Sequence, residues 1–137
     1  MDKRGVNYTK TNEGYRSQVY RCTAGKLTFG WGTHIDEGDS IPKEVSQIMF
    51  KLKYAQAELD YEKLNFSLNP VRRIVIIDMI YNLGLTRFMK FQKMISAIHE
   101  RDFDLAADEL EDSLYFRQVG YRGLQNSMMM RTGDWQR

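Results

Sequence analysis

The sequence predicts a mostly helical α+β fold with a small N-terminal antiparallel β-sheet, a long connecting helix and a C-terminal helical lobe. Between residues 15 and 35 helical periodicity is absent, and the aromatic residues, β-branched residues and glycine-containing turns there are typical of short strands. From residue 40 onward, apolar residues recur at the spacing of amphipathic helices. The chain has 137 residues, 42% of them hydrophobic, which suffices for the core of one domain.

The N-terminal elements begin with a short helix over residues 2–13, predicted to end at Gly14 because glycine accepts a left-handed backbone. Glu13 then lies on the last turn of this helix. Thr23-Ala24-Gly25 supplies a turn between two strands. In the strand that follows, we expect one face to be apolar and the other nearly bare. The apolar face would carry Leu27, Phe29 and Trp31, and the bare face would carry Thr28, Gly30 and Gly32.

The connecting helix is predicted to begin near Ser40 and Pro42, which suit a helix cap and a first helical turn. Its apolar stripe continues for about five turns, which indicates one long helix whose two ends belong to different parts of the fold. The stripe consists of Val45, Ile48, Met49, Leu52, Ala55 and Leu59.

A core helix is predicted to open at Asn69-Pro70 and to close at Gly84, because the residues between are apolar nearly all round. Asp78 lies inside this helix, and we expect its carboxylate to be a structural group satisfied by hydrogen bonds. Shorter amphipathic helices are expected to start near Lys90, Asp102 and Gly120.

Composition excludes several classes of function. The formal net charge of +2 is too weak to indicate a nucleic-acid partner. One cysteine rules out an internal disulfide, and two histidines are too few for a zinc cluster, so we expect no metal and no cofactor. The N-terminus has no apolar signal-peptide core, and no apolar run reaches the roughly 20 residues that span a bilayer. We therefore expect synthesis in the cytoplasm and no stable membrane association.

Several motifs carry a family resemblance. They are Glu13-Gly14-Tyr15, the segments 20–25 and 28–32, Val71-Arg72-Arg73, Asn82-Leu83-Gly84, Phe91, Ala106-Ala107 and the segment 131–135. At matching intervals over nearly the whole chain, these motifs resemble the phage-type lysozymes, the family of the T-even phage enzyme. The resemblance implies a lysozyme-like two-lobed fold with a groove. Residues 1–137 would form one catalytic domain, with an N-terminal lobe at about 12–45 and a helical lobe made of about 62–137 plus 1–11. Between residues 33 and 45 the chain is shorter than the T-even enzyme, so we expect it to lack one small helix at the lip of the cleft.

The resemblance implies that Glu13, Cys22 and Thr28 are the catalytic residues of a glycosidase. Glu13 would be the general acid, and the partial negative charge at its helix end favours the protonated form. Cys22 takes the place of the aspartate that orients the hydrolytic water, and some members of the family carry cysteine there. A neutral thiol is a poorer base than a carboxylate unless Arg21, Lys26 or another cation favours its thiolate.

Two mechanisms remain open at Cys22. A water oriented by the sulfur would give inversion at the sugar carbon, which the family favours, whereas attack by the sulfur itself would give retention. Thr28 would hold the attacking water with Cys22, and strand propensity is the alternative reason for a threonine there. Cys22 also has a structural explanation, because lone cysteines are more often small core residues.

Further site residues follow from the resemblance alone. Gly30, Gly32, His34, Tyr81 and Asn82 are implied to bind substrate, and Arg122 to pair with Glu13. Met94 and Glu109 also fall at positions that contact the cleft. His34 stands where the family has an apolar sugar contact and has no evident partner, so a surface imidazole without a catalytic role is the alternative.

The implied activity is that of a muramidase, which hydrolyses the β-1,4 bond between N-acetylmuramic acid and N-acetylglucosamine in bacterial peptidoglycan. As a phage or prophage endolysin, this monomer would accumulate in the host cytoplasm and reach the periplasmic wall after a holin permeabilises the membrane. Entry lysis from the virion is a related use of the same domain. The alternatives are a non-catalytic peptidoglycan-binding module and nucleic-acid binding through Arg72 and Arg73. The second is disfavoured because adjacent helical arginines point in different directions.

Overall fold

The computed structural model describes residues 1–136 and has, in that range, eight helices and one three-stranded antiparallel sheet. The predicted mostly helical α+β fold is confirmed. The chain forms two compact units, Met1–Lys43 and a second unit that begins at Glu44. None of the described helices combines the length and apolarity needed to cross a bilayer. The elements are α1 Lys3–Glu13, β1 Arg16–Arg21, β2 Leu27–Gly30, β3 Thr33–Ile35, α2 Lys43–Glu62, α3 Pro70–Leu83, α4 Leu85–Phe88, α5 Gln92–His99, α6 Phe103–Glu111, α7 Leu114–Val119 and α8 Tyr121–Thr132.

Helix α1 is defined by its two caps, of which the sequence predicts the one at Gly14. The Asp2 carboxylate accepts a hydrogen bond from the Arg4 backbone N–H at 2.8 Å and so satisfies one of the first amide groups. At the other end Gly14 has φ of 70°, and its N–H donates to the Lys10 carbonyl at 2.9 Å. Glu13 is therefore fixed as the last residue of the helix.

The sheet has β2 at its centre, and its register sets the neighbours of Thr28. Thr28 is the Cα partner of Tyr20 on β1 and of His34 on β3. Its side chain is 1% exposed, and it is the only buried residue between positions 1 and 43. The predicted bare face of this strand is therefore wrong, because opposite residues in an antiparallel sheet share a face and Thr28 has one on each side.

The predicted apolar face of the same strand is also wrong. Leu27 is 40% exposed and Trp31 is 45% exposed. The alternation ends at Gly30, where φ of 61° takes the chain out of the strand and into the turn that contains Trp31.

Helix α2 is one long helix, as predicted, but its start and its buried face differ from the prediction. It begins at Lys43, after Ser40 and Pro42. The predicted stripe is mostly exposed, from Val45 to Leu59, whereas Ala57 and Tyr61 are buried and Tyr54 is half-buried. Residues 54, 57 and 61 lie on one helical face, and a tyrosine ring buries more apolar area than an aliphatic side chain. Residues 36–42 contain no helix, in agreement with the short segment expected there.

Helix α3 is the core helix of the second unit. The Asn69 side chain accepts from the Arg72 backbone N–H at 2.9 Å, Pro70 occupies the first turn, and Gly84 ends the helix with φ of 80°. These bounds agree with the prediction. The fully buried residues Val75, Ile76 and Ile77 pack in a cluster with side chains of α4, α5, α6 and α8, among them Phe88, Met94, Leu110 and Met130.

The remaining helices begin close to the predicted starts. Helix α5 begins at Gln92, α6 follows the capping residue Asp102, and α8 follows Gly120. Helices α4 and α7 are absent from the prediction, because four and six residues are too few to display a helical period.

Candidate active site

The carboxyl group of Glu13 rests against the backbone of Gly32. A Cβ atom added to Gly32 would lie 3.0 Å from Glu13 Cδ and closer still to Oε2. Gly32 also has φ of 73°, a conformation that residues with a Cβ rarely adopt. Both the backbone angle and the close approach therefore require glycine in the β2–β3 turn, which brings Glu13 to one edge of the small sheet.

Glu13 also borders a groove of about 490 Å³ along α1. The Lys10 Nζ lies 4.2 Å from the centre of the Trp31 ring, and Tyr15 packs against the same indole with ring centres 4.8 Å apart. An exposed indole beside a carboxylic acid is suited to contact with a sugar ring. We name this surface the Glu13 groove, and its lining residues are Met1, Asp2, Gly5, Val6, Thr9, Lys10, Glu13 and Trp31.

Lys10 and the site role of Trp31 are missing from the sequence prediction. Lys10 precedes Glu13 by three residues on α1, so helical spacing places the two side chains on neighbouring positions of one face. The sequence pattern predicts Trp31 on the apolar face of a strand, whereas it occupies a turn between Gly30 and Gly32. The spacing was a usable signal for Lys10, and the two flanking glycines were a usable signal for Trp31.

Cys22 lies directly after β1 in a tight turn. Its N–H donates to the Lys26 carbonyl at 2.9 Å, and its carbonyl accepts from the Gly25 N–H at 2.8 Å. Hydrogen bonding from the Lys26 backbone is the main cause that lowers the pKa of the Cys22 thiol. Burial raises this pKa, whereas the Ala24 backbone and the Thr28 hydroxyl lower it further. The Cys22 thiolate is therefore easier to form than that of an ordinary cysteine.

The Arg21 and Lys26 side chains, which the sequence analysis names as cations that could favour the thiolate, are bonded to other groups. The Lys26 Nζ pairs with Asp36 at 3.6 Å, and the Arg21 guanidinium donates to the Gly25 carbonyl at 3.0 Å. Hydrogen-bond donors of the turn, rather than these two side-chain charges, therefore account for the lowered pKa of Cys22.

Thr28 and His34 form a hydrogen-bonded pair. Thr28 Oγ1 lies 2.9 Å from His34 Nδ1 and donates to the Lys26 carbonyl at 3.0 Å. Although His34 is exposed, its imidazole has a hydrogen-bond partner, which was not evident from the sequence. Thr28 and His34 are thus connected side chain to side chain on neighbouring strands.

The two glycines implied to bind substrate differ in their surroundings. No atom lies within 4 Å of the position of a Cβ on Gly30, whereas the same position on Gly32 is filled by Glu13. Open space beside Gly30 permits the close approach of a polymer, while Gly32 holds the acid.

Tyr81 and Asn82 line a depression of about 330 Å³ in the second unit. The Lys53 Nζ lies 4.3 Å from the centre of the Tyr81 ring, and Phe50 packs against that ring at 5.4 Å. An aromatic face held beside amide and ammonium groups is suited to a sugar. Met94 and Glu109 line a different depression of about 400 Å³ in this unit.

Arg122 forms a two-pronged ion pair with Asp78. Its Nε donates to Asp78 Oδ2 at 2.8 Å and its Nη2 to Oδ1 at 2.6 Å, while Asn126 donates to Oδ2 at 2.9 Å. The bonds to Asp78 raise the pKa of Arg122 against the opposing effect of burial. The predicted structural role of Asp78 is confirmed by these bonds, and the pairing of Arg122 with Glu13 stays a prediction.

Comparison with known proteins places this site in a family. The family model described as phage lysozyme matches residues 10–131. The chain belongs to the phage lysozyme family. This range contains Glu13, Cys22, Thr28 and the other implied site residues up to Arg122.

Two curated relatives agree with the family match. An endolysin of Acyrthosiphon pisum secondary endosymbiont phage 1 is 30% identical over 91 residues, which cover 64% of the chain and 62% of the endolysin. The chain thus spans less than two thirds of the length of that relative. A probable T4-type lysozyme 1 of Dictyostelium discoideum is 22% identical over 155 aligned residues, covering 90% of the chain and 91% of the relative. Family membership supports a lysozyme activity for this chain.

The N-terminal unit holds two sets of groups of the kinds that glycoside hydrolysis uses. One is a carboxyl group beside an exposed indole, at Glu13 and Trp31. The other comprises the thiol of Cys22, whose pKa is lowered, and the buried hydroxyl of Thr28. A carboxylic acid can protonate a leaving oxygen, and a thiolate with a hydroxyl can orient a water or attack carbon.

Proposed function

We propose that the chain is an endolysin muramidase that hydrolyses the β-1,4 bond between N-acetylmuramic acid and N-acetylglucosamine in peptidoglycan. The observation that carries the proposal is the position of the Glu13 carboxyl, which rests on Gly32 of the β2–β3 turn in the unit that also contains Cys22 and Thr28. The family match over residues 10–131 and the relative named endolysin support the same activity.

In this proposal Glu13 donates a proton to the glycosidic oxygen as the bond to the sugar carbon breaks. Cys22 and Thr28 hold a water on the opposite face of the sugar, and its attack inverts the configuration of that carbon. The lowered pKa of Cys22 supports a sulfur that accepts a hydrogen bond from this water. Attack by the sulfur itself, with retained configuration, is the alternative route.

Candidate substrate contacts are assigned within each unit separately. Gly30 offers open backbone, and Tyr81 and Asn82 offer an aromatic face and an amide. The role of Gly32 is indirect, because its backbone lies against the Glu13 carboxyl. His34 lies next to Thr28, where an imidazole can meet a sugar hydroxyl.

The biological setting follows the endolysin relative. We propose that the monomer accumulates in the cytoplasm of an infected host and attacks the periplasmic wall once a holin permeabilises the membrane. No cofactor is required for the chemistry assigned to these residues.

The decisive test is the loss of turbidity of permeabilised Gram-negative cells. Wild type should clear the suspension, and Glu13→Gln, which keeps the shape but removes the acid, should abolish clearing. Glu37→Gln is the matched control, since Glu37 is exposed in the same unit, in the loop after β3. Equal clearing by wild type and Glu13→Gln would refute the assignment. Sedimentation with insoluble peptidoglycan without clearing by wild type would instead support the non-catalytic binding module.

The route at Cys22 is tested by the anomeric configuration of the first product, followed by NMR during early turnover. Inversion supports an oriented water, and retention would require a covalent intermediate on sulfur.

A further inference from the structure

The Lys10 side chain lines the Glu13 groove and is held there by an aromatic contact. Its Nζ lies 4.2 Å from the centre of the Trp31 ring, and the Tyr15 ring packs against the same indole at 4.8 Å. The negative face of an indole attracts an ammonium group, which restricts a side chain that otherwise rotates freely. An ammonium has three N–H donors, and one ring cannot engage all of them. Lys10 is therefore a positioned cation with donors left for a ligand.

Lys10 also lacks an acidic partner. In the described part of the chain, no carboxylate lies within 4.0 Å of its Nζ. Glu13 follows it by three residues on α1, but the Glu13 carboxyl rests against Gly32. Asp2, the other acidic residue that lines the groove, forms an ion pair with Arg4 at 3.1 Å. The positive charge of Lys10 is therefore not neutralised by an ion pair on this surface.

The charge balance of the groove favours an anionic ligand at the moment of reaction. A general acid enters the reaction with its proton, so the Glu13 carboxyl is then neutral and does not repel an anion. Arg4 offsets the charge of Asp2, which leaves Lys10 as the uncompensated charge among the side chains that line the groove. The groove volume of about 490 Å³ is in the range of sites that hold small organic ligands.

We propose that Lys10 is a specificity-determining residue whose ammonium binds a carboxylate of the substrate. In peptidoglycan, N-acetylmuramic acid carries a short peptide with free carboxylates, whereas a plain polymer of N-acetylglucosamine carries none. An ammonium and a carboxylate form a charge-assisted hydrogen bond, and a positioned ammonium loses little conformational freedom when it binds. This inference rests on the proposed function, because it takes the acidic peptide branch to lie beside the sugar that Glu13 protonates. Lys10 itself makes and breaks no covalent bond.

The test measures binding and needs no turnover. The probe is the disaccharide tripeptide N-acetylglucosaminyl-N-acetylmuramyl-tripeptide, a product of the proposed cleavage, and the comparison is the same molecule with its carboxylates amidated. Trp31 and Trp135 are the two tryptophans of the chain, so Trp135→Phe leaves the indole beside Lys10 as the fluorescent reporter. This parent protein should bind the acidic fragment about fivefold more tightly than the amidated one, as expected for one solvent-exposed ion pair.

Two substitutions of Lys10 in the parent protein separate its charge from its packing. Lys10→Met keeps a long apolar side chain beside Trp31 and removes the charge. It should weaken binding of the acidic fragment about fivefold and leave binding of the amidated fragment unchanged. Lys10→Arg should keep the preference, because a guanidinium also stacks on an indole and pairs with a carboxylate. Lys3→Met is the matched control, since Lys3 is an exposed lysine of α1 that does not line the groove.

Salt dependence adds a second readout. The preference for the acidic fragment should shrink as the salt concentration rises from about 0.05 M to about 0.5 M, because ions screen exposed charges. A preference that does not respond to salt would contradict recognition by an ion pair.

Three results would overturn the role of Lys10. They are equal affinity of the parent protein for the two fragments, unchanged affinity of Lys10→Met for the acidic fragment, and an equal loss of affinity of Lys10→Met for both fragments. The last result would indicate an altered groove rather than recognition of charge. Each of them leaves the muramidase assignment intact, because that assignment depends on clearing of cells by wild type and its loss in Glu13→Gln.

Discussion

Replacement of Gly32 by alanine tests whether the glycine positions the acid. The new Cβ would lie 3.0 Å from Glu13 Cδ, about 0.5 Å inside a normal carbon–carbon contact. Either the turn or the Glu13 side chain must move, and a catalytic group displaced by about 1 Å loses about 100-fold in rate. Such a loss corresponds to about 2.7 kcal/mol of transition-state stabilisation. The left-handed φ of 73° adds about 1–2 kcal/mol of strain to the folded state.

Gly38→Ala is the matched control for this substitution. Gly38 has φ of 92° and no atom within 4 Å of a Cβ, so alanine there carries backbone strain without touching Glu13. Urea unfolding should give a similar loss of stability from strain in both variants, while clearing of permeabilised cells should fall about 100-fold only in Gly32→Ala. In a Glu13→Ala background, Gly32→Ala should cost only the backbone strain. Equal effects of Gly32→Ala and Gly38→Ala on clearing would refute the reasoning.

Three other substitutions have defined outcomes. Asp78→Asn removes the counter-charge of Arg122 and should lower the free energy of unfolding by about 1–2 kcal/mol, a modest loss because both side chains are about a third exposed and solvent screens them; urea midpoints measure this, and an unchanged midpoint would contradict it. Asn69→Ala removes the cap of α3 and the hydrogen bond to the Gly133 carbonyl at 3.0 Å, and should cost about 1–2 kcal/mol in the same assay, with a loss below about 0.3 kcal/mol arguing against the cap. Cys22→Asp should keep clearing activity and give inverted product by NMR, since a carboxylate also orients water, whereas a product with retained configuration would contradict water positioning.

Local signals made the element boundaries of α1 and α3 predictable. Asp2 and Gly14, and likewise Asn69 and Gly84, supply cap groups within a few residues of the amides and carbonyls they satisfy. The apolar sequence of α3 required burial on every side. In contrast, the prediction of the buried face of α2 was wrong, because it counted aliphatic residues and omitted Tyr54 and Tyr61.

The sequence predicts members of the candidate site but not the contacts among them. Spacing within a family motif identified Glu13, Cys22 and Thr28. The contact between Thr28 and His34 depends on the register of β2 with β3, which is set by the conformation of the intervening turn. The pairing of Asp78 with Arg122 joins residues 44 positions apart, and no local pattern encodes such a distance.

The scarcity of buried side chains around Glu13 and Cys22 has a consequence for how the protein loses activity on warming. Thr28 is the only buried residue between positions 1 and 43, whereas α3 alone has five. Segments with little apolar burial open locally at a lower free energy than the segments that carry the core. Backbone amides of α1 and of the sheet should therefore exchange with solvent through openings that leave α3 folded. Catalytic inactivation would precede global melting, and mutations that strengthen the core around Ile76 would raise the melting temperature without extending the temperature range of the activity.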